Sequence, residues 1–499
     1  MTVDRPEHLD VIVVGAGISG IGTACRVRID CPGKSLAVLE SRDAIGGTWD
    51  LFRYPGIRSD SDMFTLGYNF RPWQEARAIA DGPAIRKYVN ETAAEYGVDE
   101  LVRFGHKVTK AEWSTADTLW TLTVEGGGET RTLTCTYLAI STGYYDYDEG
   151  FSPEFPGVER FGGQIIHPQH WPENLEYDGK KVVVIGSGAT AVTIVPNMAE
   201  RAEHVTLLQR SPTYMVSRPS IDPLANFLKG RLPDRFVFWF MRWFNALFQV
   251  LSFNLIRKFP ERARATFRKW GIADLPAGYD YDRHFKPKYA PWDERVCLIP
   301  DSDLFKAIRD GSVSMVTDTI ETFTETGIEL ISGEELEADI IVTATGLNLL
   351  MFGGADVVVD GEEIVPSELV TYKGMMFSGV PNLAMTFGYT NASWTLKADL
   401  VSEYFCRLIN YVESHGKRQW TPKVPPASVE RVDFIDLKSG YVLRVLDQLP
   451  KQGAVTPWKL RQNYPLDVLH LRRGRVEDDG IEFSSPPAVP AVEREKVAA

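Results

Sequence analysis

Residues 9–20 read LDVIVVGAGISG, an apolar run that passes directly into a glycine-rich turn. The apolar run predicts a buried strand, and residues 21–29 after the turn predict a helix. A second apolar strand at 35–39 ends at Glu40. This order of elements is the one that a dinucleotide-binding βαβ unit requires, with the helix N-terminus facing a pyrophosphate. The glycines of the turn are Gly15, Gly17 and Gly20.

The same order of elements returns later in the chain. An apolar strand at 181–185 runs into GSGATA, a helix follows to about residue 199, and 205–209 predicts the next strand. Arg210 then stands where Glu40 stands in the first unit. A carboxylate accepts hydrogen bonds from ribose hydroxyls, whereas a guanidinium can bind a 2′-phosphate bidentately. We therefore expect FAD at the first unit and NADPH at the second. The expected NADPH contacts are Gly186, Gly188, Ala189, Thr190, Arg210 and Ser211.

Between the two units, residues 46–60 read GGTWDLFRYPGIRSD. Two glycines let a backbone approach a flat cofactor, and the Tyr-Pro-Gly turn fixes the loop. Asp60 at its end would bring a charge to the place where chemistry occurs. The segment indicates a flavin site. The expected FAD contacts are Gly15, Gly17, Gly20, Glu40, Gly47, Thr48, Trp49 and Asp60.

Composition limits the function classes. The chain has 499 residues with 44% hydrophobic residues, so it can form several cores, and its net charge of -13 argues against nucleic-acid binding. Five scattered cysteines include no Cys-x-x-Cys pair and no metal-ligand spacing, so no metal site is expected. Disulfide-type reductases need a redox cysteine pair near the flavin. Oxygen is therefore the expected acceptor, in a cytoplasmic protein without a secretion signal.

Residues 161–172 read FGGQIIHPQHWP and resemble the fingerprint F-x-G-x-x-x-H-x-x-x-W-P of Baeyer-Villiger monooxygenases. The 46–60 segment is similar to a second fingerprint of this family, and the resemblance extends to residue 464. It implies that NADPH reduces FAD, that O2 forms a C4a-peroxyflavin, and that a ketone becomes an ester or lactone. Sulfides and thioamides are further implied substrates. The family's final Trp-Pro is usually absent from the related flavin-containing monooxygenases that act on nitrogen or sulfur.

The resemblance also implies catalytic residues. Arg295 in the segment PWDERVC would stabilise negative charge on the reacting oxygen, and Asp60 would position it. Asn391, before a predicted helix, would contact FAD. Many members carry Lys immediately before the arginine, whereas this chain has Glu294, so selectivity for NADPH would depend mainly on Arg210. Two alternatives stay open: a flavin-containing monooxygenase acting mainly on nitrogen or sulfur, and a membrane-docking or binding protein with a vestigial flavin site.

The predicted fold class is α/β, with two Rossmann-like dinucleotide-binding domains and a helical insertion in the NADPH domain. Residues 1–144 and 346–484 are expected to form a discontinuous FAD-binding domain, joined to the second domain through linkers near 144–148 and 346–348. Residues 149–343 would form the NADPH-binding domain, with the insertion at about 218–292. A tail at 485–499 is expected to be disordered.

Three further parts of the sequence, 235–257, His167 and 375–377, have roles that the sequence defines less closely. The aromatic-rich stretch 235–257 has its polar residues on one helical face, which favours an amphipathic helix over a spanning one. It either packs in the interior or lines an apolar substrate route, or it makes peripheral contact with a membrane or partner. His167, between the two units, is expected to couple them rather than to catalyse. Residues 375–377 either face the substrate or belong to the core.

Overall fold

The first glycine turn follows a central strand of a nine-stranded mixed sheet in this computed structural model, which describes residues 6–294 and 296–486. Its strands are β1 (Glu7–Val14), β2 (Leu36–Leu39), β3 (Val102–Arg103), β4 (Lys107–Ser114), β5 (Leu119–Gly126), β6 (Glu129–Ile140), β19 (Asp356–Val359), β20 (Glu362–Glu363) and β23 (Leu383–Met385). The order is β20-β19-β4-β5-β6-β1-β2-β3, with β23 also paired to β6. β23, β6, β1, β2 and β3 are parallel, whereas β4, β5 and β6 form an antiparallel meander.

The second glycine turn belongs to a separate parallel sheet of five strands. These are β8 (Gln164–Ile166), β9 (Lys181–Ile185), β10 (His204–Gln209), β13 (Val313–Thr317) and β17 (Ile340–Thr343), in the order β13-β10-β9-β17-β8. β17 is buried along its whole length and β9 at all but its first residue, which explains their continuous apolar sequences. The predicted α/β class with two Rossmann-like units is confirmed.

Helices connect and cover the two sheets. α1 links β1 to β2, and α5 links β9 to β10, as the two glycine motifs predict. The helices are α1 (Ile18–Asp30), α2 (Thr48–Leu51), α3 (Met63–Leu66), α4 (Gly82–Glu95), α5 (Ala189–Met198), α6 (Pro223–Leu228), α7 (Asp234–Lys258), α8 (Pro260–Asp274), α9 (Tyr281–Phe285), α10 (Asp303–Arg309), α11 (Trp394–Ser414), α12 (Gly440–Leu443) and α13 (Tyr464–Asp467).

Short ribbons complete the fold. They pair β7 (Tyr145–Gly150) with β18 (Leu347–Leu349), β11 (Met215–Arg218) with β12 (Cys297–Pro300), β21 (Thr371–Tyr372) with β22 (Met376–Phe377), β24 (Gln419–Pro422) with β27 (Ile481–Ser484), and β25 (Arg431–Asp433) with β26 (Lys451–Gly453). A three-stranded ribbon contains β14 (Ile320–Phe323), β15 (Gly327–Leu330) and β16 (Glu335–Glu337). The segments expected as linkers are therefore hydrogen-bonded to each other as β7 and β18.

Three sequence-based expectations can be compared directly with the elements. The region expected to be helical at about 218–292 contains α6 to α9. Residues 375–377 are buried in the core and do not line the large cavity described below, so the core alternative holds. Of the tail expected to be disordered, 487–499 lie outside the described residues.

Candidate active site

The first glycine turn has three glycines with different tasks. Gly15 has a φ of +100°, and a Cβ there would lie 2.8 Å from the Ser141 carbonyl oxygen. A Cβ on Gly20 would lie 1.7 Å from the Gly15 carbonyl oxygen, so Gly20 permits the close contact between helix and strand. Gly17 caps α1 without any side-chain hydrogen bond. The free N–H groups of the first helical turn therefore face the cavity at the end of β1, where a phosphate would be stabilised.

The 46–60 segment begins against this turn. The Gly46 N–H donates to the Ala16 carbonyl oxygen at 3.1 Å, and Gly46 forms a bridge with Gly17. Gly47 has a φ of +57°, and a Cβ there would lie 2.8 Å from the Gly17 Cα. Gly47 is therefore required by backbone approach, and Gly46 by its φ of +141° and by the Asp50 side chain 3.0 Å from a Cβ there. Thr48 then starts α2, and its hydroxyl lies 3.1 Å from the Tyr147 hydroxyl.

A buried carboxylate that the sequence analysis missed holds this segment in place. The Asp50 side chain is fully buried, and it pairs with Arg42 at 2.7 Å and with Arg86 at 3.0 Å. Arg42 also donates to the Gly47 carbonyl oxygen at 3.3 Å. The sequence signal was Asp50 within a glycine-rich loop, but its partners lie far apart in the chain. This cluster fixes the backbone on which the expected flavin contacts depend.

The far end of the segment reaches the second sheet. Phe52 and Tyr54 belong to the core that contains β9 and α5. A Cβ on Gly56 would lie 2.1 Å from the Asn197 Nδ2, so the turn contacts α5 directly. Burial, partly offset by a hydrogen bond with Thr190, raises the pKa of Tyr54 to about 12. Residues 46–60 therefore join the first glycine turn to the second unit.

Glu40 ends β2 and is buried at the wall of the cavity. One carboxylate oxygen accepts from the Ala16 N–H at 2.7 Å, and the other accepts from the Arg42 N–H at 2.9 Å. The second oxygen also accepts from the Ser41 hydroxyl at 3.4 Å, whereas the first keeps a further lone pair. The carboxylate is therefore held in place and can still accept a hydrogen bond from a ribose.

The second glycine turn differs from the first in its openness. Gly186 has a φ of +135°, and a Cβ there would lie 2.3 Å from the Ala344 carbonyl oxygen. A Cβ on Gly188 would meet no atom within 4 Å, and Gly188 caps α5 without a side-chain hydrogen bond. Arg210, directly after β10, is exposed and makes no ion pair with any described residue. Its guanidinium is available to an external anion.

A cavity of about 1570 Å³ lies at the carboxyl ends of β1, β2 and β6 and extends to α7 and α8. Drug-sized ligands occupy pockets of roughly 300–1000 Å³, so this space suits more than one ligand. Eight of the nine expected FAD contacts line it, and Gly20 lies behind them. The eight are Gly15, Gly17, Glu40, Gly47, Thr48, Trp49, Asp60 and Asn391.

None of the six expected NADPH contacts lines this cavity. They lie behind its wall at the second turn. The Cys297 side chain lines the cavity, and its thiol contacts the Ser187 carbonyl oxygen with 3.8 Å between S and O. Ser187 in turn lies 2.8 Å, hydroxyl to hydroxyl, from Thr213. The second glycine turn therefore adjoins the cavity through Ser187.

The N-terminus of α11 also meets the first unit. Trp394 Nε1 donates to the Ser19 hydroxyl at 2.7 Å, which ties α11 to the first turn of α1. Asn391 donates from its side-chain amide to the Gln462 carbonyl oxygen at 3.1 Å. Ser393 occupies the N-cap position of α11, but its hydroxyl makes no capping hydrogen bond. The helix N-terminus is oriented by Trp394 instead.

Of the two residues expected to be catalytic, the structure describes only Asp60. Asp60 is exposed and lines the cavity. Arg295 lies outside the described residues, so its pairing with Asp60 stays a prediction. Its neighbour Val296 lines the cavity, and burial raises the pKa of Glu294 on its other side, with the nearby Asp293 charge adding to the shift.

His167 lies where the chain crosses between the two sheets. Its Nε2 is 3.2 Å from the Gly346 carbonyl oxygen, and its Nδ1 accepts from the Gln169 N–H at 3.3 Å. A Cβ on Gly150 would lie 2.0 Å from the ring, so the imidazole packs on the backbone of β7. Burial lowers the pKa of His167. A neutral imidazole at a junction fits the expected coupling role.

The first glycine turn fits a dinucleotide by its own geometry. The side-chain-free cradle of Gly17 and Gly47 leaves space that a Cβ would fill. Ser141 lines the cavity beside it, and its buried hydroxyl has no hydrogen-bond partner within the described chain. A hydroxyl of this kind is available to a ligand. Within residues 6–294 and 296–486, no group of three His, Cys, Asp or Glu side chains could hold a metal ion.

A large cavity at the first nucleotide unit, with a second unit that adjoins it through Ser187, fits a flavin-dependent oxidoreductase, and family comparisons specify its class. Residues 78–277 match the family model described as flavin-binding monooxygenase-like, and residues 13–81 match an NAD(P)-binding Rossmann-like domain. The chain is 56% identical to the FAD-containing monooxygenase EthA of Mycobacterium tuberculosis, covering 97% of this chain and 99% of that protein. It is 50% identical to the putative FAD-containing monooxygenase MymA of the same species, covering 96% and 98%.

The chain therefore belongs to the family of FAD-containing monooxygenases related to EthA. The solved structure of a steroid monooxygenase bound to NADP matches the fold, with a TM-score of 0.75 and 23% identity over 96% of this chain and all of that chain. Cyclohexanone monooxygenase matches equally well, with a TM-score of 0.75 and 20% identity over 96% of this chain and all of that chain. The predicted flavin monooxygenase, with FAD and NADPH as cofactors, is confirmed.

Proposed function

We propose that this protein is a cytoplasmic Baeyer-Villiger monooxygenase that uses NADPH and O2 to convert ketones into esters or lactones, and that it also oxidises sulfides or thioamides. The observation that carries the proposal is the large cavity at the first unit, which the second unit adjoins. It brings the first glycine turn, Asp60 and the segment next to Arg295 to one space of about 1570 Å³. A reaction that combines a flavin, a nicotinamide and an organic substrate needs such a common space.

FAD belongs at the first unit and NADPH at the second in this proposal. Support comes from Glu40, whose fixed carboxylate suits ribose hydroxyls, and from Arg210, whose exposed guanidinium suits a 2′-phosphate. Bound FAD would supply the chemistry that accepts a hydride from NADPH and transfers one oxygen atom from O2. The chain's own contribution is to hold both dinucleotides at the glycine turns and to exclude water from the cavity.

Arg295 and Asp60 are the catalytic residues of the proposal. A guanidinium at the reacting oxygen would stabilise the negative charge that develops there, and a carboxylate beside it would orient it. Support comes from Asp60 and Val296, since both line the cavity.

The proposal includes the domain division predicted from the sequence. Residues 1–144 and 346–484 form the FAD-binding domain, and 149–343 form the NADPH-binding domain. Support comes from the separate sheets that carry the two glycine turns. Peripheral membrane contact through 235–257 agrees with this function, because ketones and sulfides of low polarity partition into bilayers.

Product analysis tests the proposed reaction. The purified holoenzyme with NADPH is given a cyclic ketone, a linear ketone and an aryl sulfide, and the products are separated and quantified. Ester or lactone from either ketone supports the proposal. Hydrogen peroxide without ester, together with rapid sulfoxide formation, would instead indicate an enzyme that acts mainly on nitrogen or sulfur. A colourless protein that does not oxidise NADPH would indicate a vestigial flavin site.

The Arg295→Ala variant tests the proposed catalytic residue. We expect it to keep bound flavin and NADPH oxidation while losing ester formation. The exposed Arg283→Ala serves as a matched control, since it removes an arginine of α9 that does not line the cavity. Normal ester yield from Arg295→Ala would remove Arg295 from the active site.

A further inference from the structure

Helix α7 turns its polar side toward the protein. Arg242 is 1% exposed, pairs with the buried Asp399, and donates to the Gly67 carbonyl oxygen at 2.7 Å. Gln249 donates to Asp62 at 3.4 Å. The buried face of α7 therefore combines these polar side chains with Val237, Phe238, Met241 and Ala246. Of the alternatives for 235–257, packing in the interior holds for this face only, and Phe248 and Leu255 of the same helix line the large cavity.

A second, apolar side of α7 faces outward. Eight of its large side chains are between 42% and 58% exposed: Phe236, Trp239, Phe240, Phe244, Leu247, Phe248, Leu251 and Leu255. The face continues on α6 with Phe227, 59% exposed, and near α8 with Phe259 and Trp270. We call these eleven residues the outer face. Contiguous apolar surface of this extent on a soluble protein marks an interaction site.

Positive charge surrounds the outer face although the whole chain carries a net charge of -13. Residues 229–269 contain ten Lys or Arg and only two Asp or Glu. Several cations stand directly over outer-face rings: Arg231 over Phe227 at 4.3 Å, Arg218 over Phe248 at 5.2 Å, and Arg262 over Phe259 at 5.3 Å. These three arginines are exposed and make no ion pair with any described residue. Cations beside exposed aromatic rings are the pattern of a helix that lies in a headgroup region.

The charge distribution indicates which partner binds the outer face. A second copy of this chain docked face to face would bring two strongly basic segments together, which costs free energy. An anionic lipid surface attracts the same segment, because its cations lie close to the negative headgroups. α7 is long and apolar enough to cross a membrane by length and composition. Its buried ion pair with Asp399 would have to break first, so docking fits the structure and spanning does not.

We propose that the outer face docks the protein on the surface of bilayers that contain anionic lipids, with α7 lying in the plane of the membrane. Four of its residues, Phe248, Leu255, Phe259 and Trp270, are exposed and also line the large cavity. The cavity therefore opens at the docking surface. In a refinement that rests on the proposed function, substrates are lipophilic ketones or sulfides that pass from the bilayer into the cavity.

Vesicle sedimentation tests the docking. The full-length holoenzyme is mixed with vesicles of phosphatidylcholine alone, or of phosphatidylcholine with phosphatidylglycerol, at low and high salt. We expect binding to the anionic vesicles that weakens with salt. The variant Phe240→Gln/Leu251→Gln, whose positions do not line the cavity, should reduce binding about tenfold or more because two apolar anchors are lost.

A matched control removes two exposed apolar residues elsewhere. Ile331→Gln/Val424→Gln changes side chains that are 62% and 61% exposed and lie outside the outer face. It should bind vesicles as the unchanged protein does. The proposal is overturned by absence of binding to every vesicle, or by equal loss in both variants. It is also overturned if light scattering shows a dimer of the unchanged protein that dissociates in Phe240→Gln/Leu251→Gln.

Activity measurements test the refinement separately. With a short, water-soluble ketone in lipid-free buffer, both double variants should keep the rate of the unchanged protein. With a long-chain ketone in anionic vesicles, the Phe240→Gln/Leu251→Gln variant should show a raised KM. Docking without this rise in KM would refute only the transfer of substrate from the bilayer. Docking without any ketone product would refute the proposed function and leave the docking proposal intact.

Discussion

Replacing Arg210 by alanine should weaken the use of NADPH and leave the use of NADH nearly unchanged. Arg210 is exposed, and within residues 6–294 and 296–486 it has no ion-pair partner, so its removal breaks no ion pair that holds the fold. A hydrogen bond to a charged group contributes about 1.5–3 kcal/mol, and exposure places Arg210 at the lower end. The kcat/KM for NADPH should fall about 10- to 30-fold, at about 1.4 kcal/mol per tenfold.

Steady-state NADPH and NADH oxidation, with a ketone present, measures this change. Arg210→Lys should give an intermediate loss, because lysine keeps the charge but not the bidentate fork. Arg309→Ala, an exposed arginine at the end of α10, serves as the control and should leave both coenzymes unaffected. An equal fall in kcat/KM for NADPH and NADH, or no fall for either, would refute the assignment of the 2′-phosphate contact.

Two further predictions concern the glycine cradle and the junction. Gly47→Ala should raise the Kd for FAD about five- to thirty-fold, because a left-handed backbone conformation costs a residue with a side chain about 1–2 kcal/mol. The control Gly33→Ala, with no atom within 4 Å of the new Cβ, should leave the Kd unchanged. Titration of the apoprotein with FAD measures both, and equal affinities of the two variants would contradict the role of Gly47 in FAD binding. His167 has a lowered pKa, so the unfolded chain binds its proton more readily, and stability should be lost as pH falls below about 6.5. The melting temperature of His167→Gln should fall less at acidic pH than that of the control His415→Gln. Identical profiles of melting temperature against pH would exclude the coupling role.

The strands and glycine turns could be predicted because local chemistry determines them. Continuous apolar runs such as 181–185 form strands buried on both faces, and the glycines at positions 15 and 186 adopt positive φ values that other residues rarely adopt. Glu40 and Arg210 could be found for the same reason, since each immediately follows a strand. Family membership and fold class followed from these short-range patterns together with the two fingerprints.

Features that depend on distant partners could not be predicted. The amphipathic pattern of α7 defines two faces but not which one is exposed. Asp399 and Asp62, far away in sequence, bind the polar face and so turn the apolar face outward. The ion-pair cluster at Asp50 likewise depends on arginines at positions 42 and 86. The pairing of Asp60 with Arg295 stays a prediction.

Isotope labelling of the product tests the central claim most directly. The holoenzyme is incubated with NADPH, a ketone and ¹⁸O₂, and the product is analysed by mass spectrometry. The proposed reaction predicts an ester or lactone that carries one ¹⁸O atom, with one NADPH consumed for each product molecule. Unchanged ketone with hydrogen peroxide as the sole product of NADPH oxidation, or an ester without the label, would contradict it.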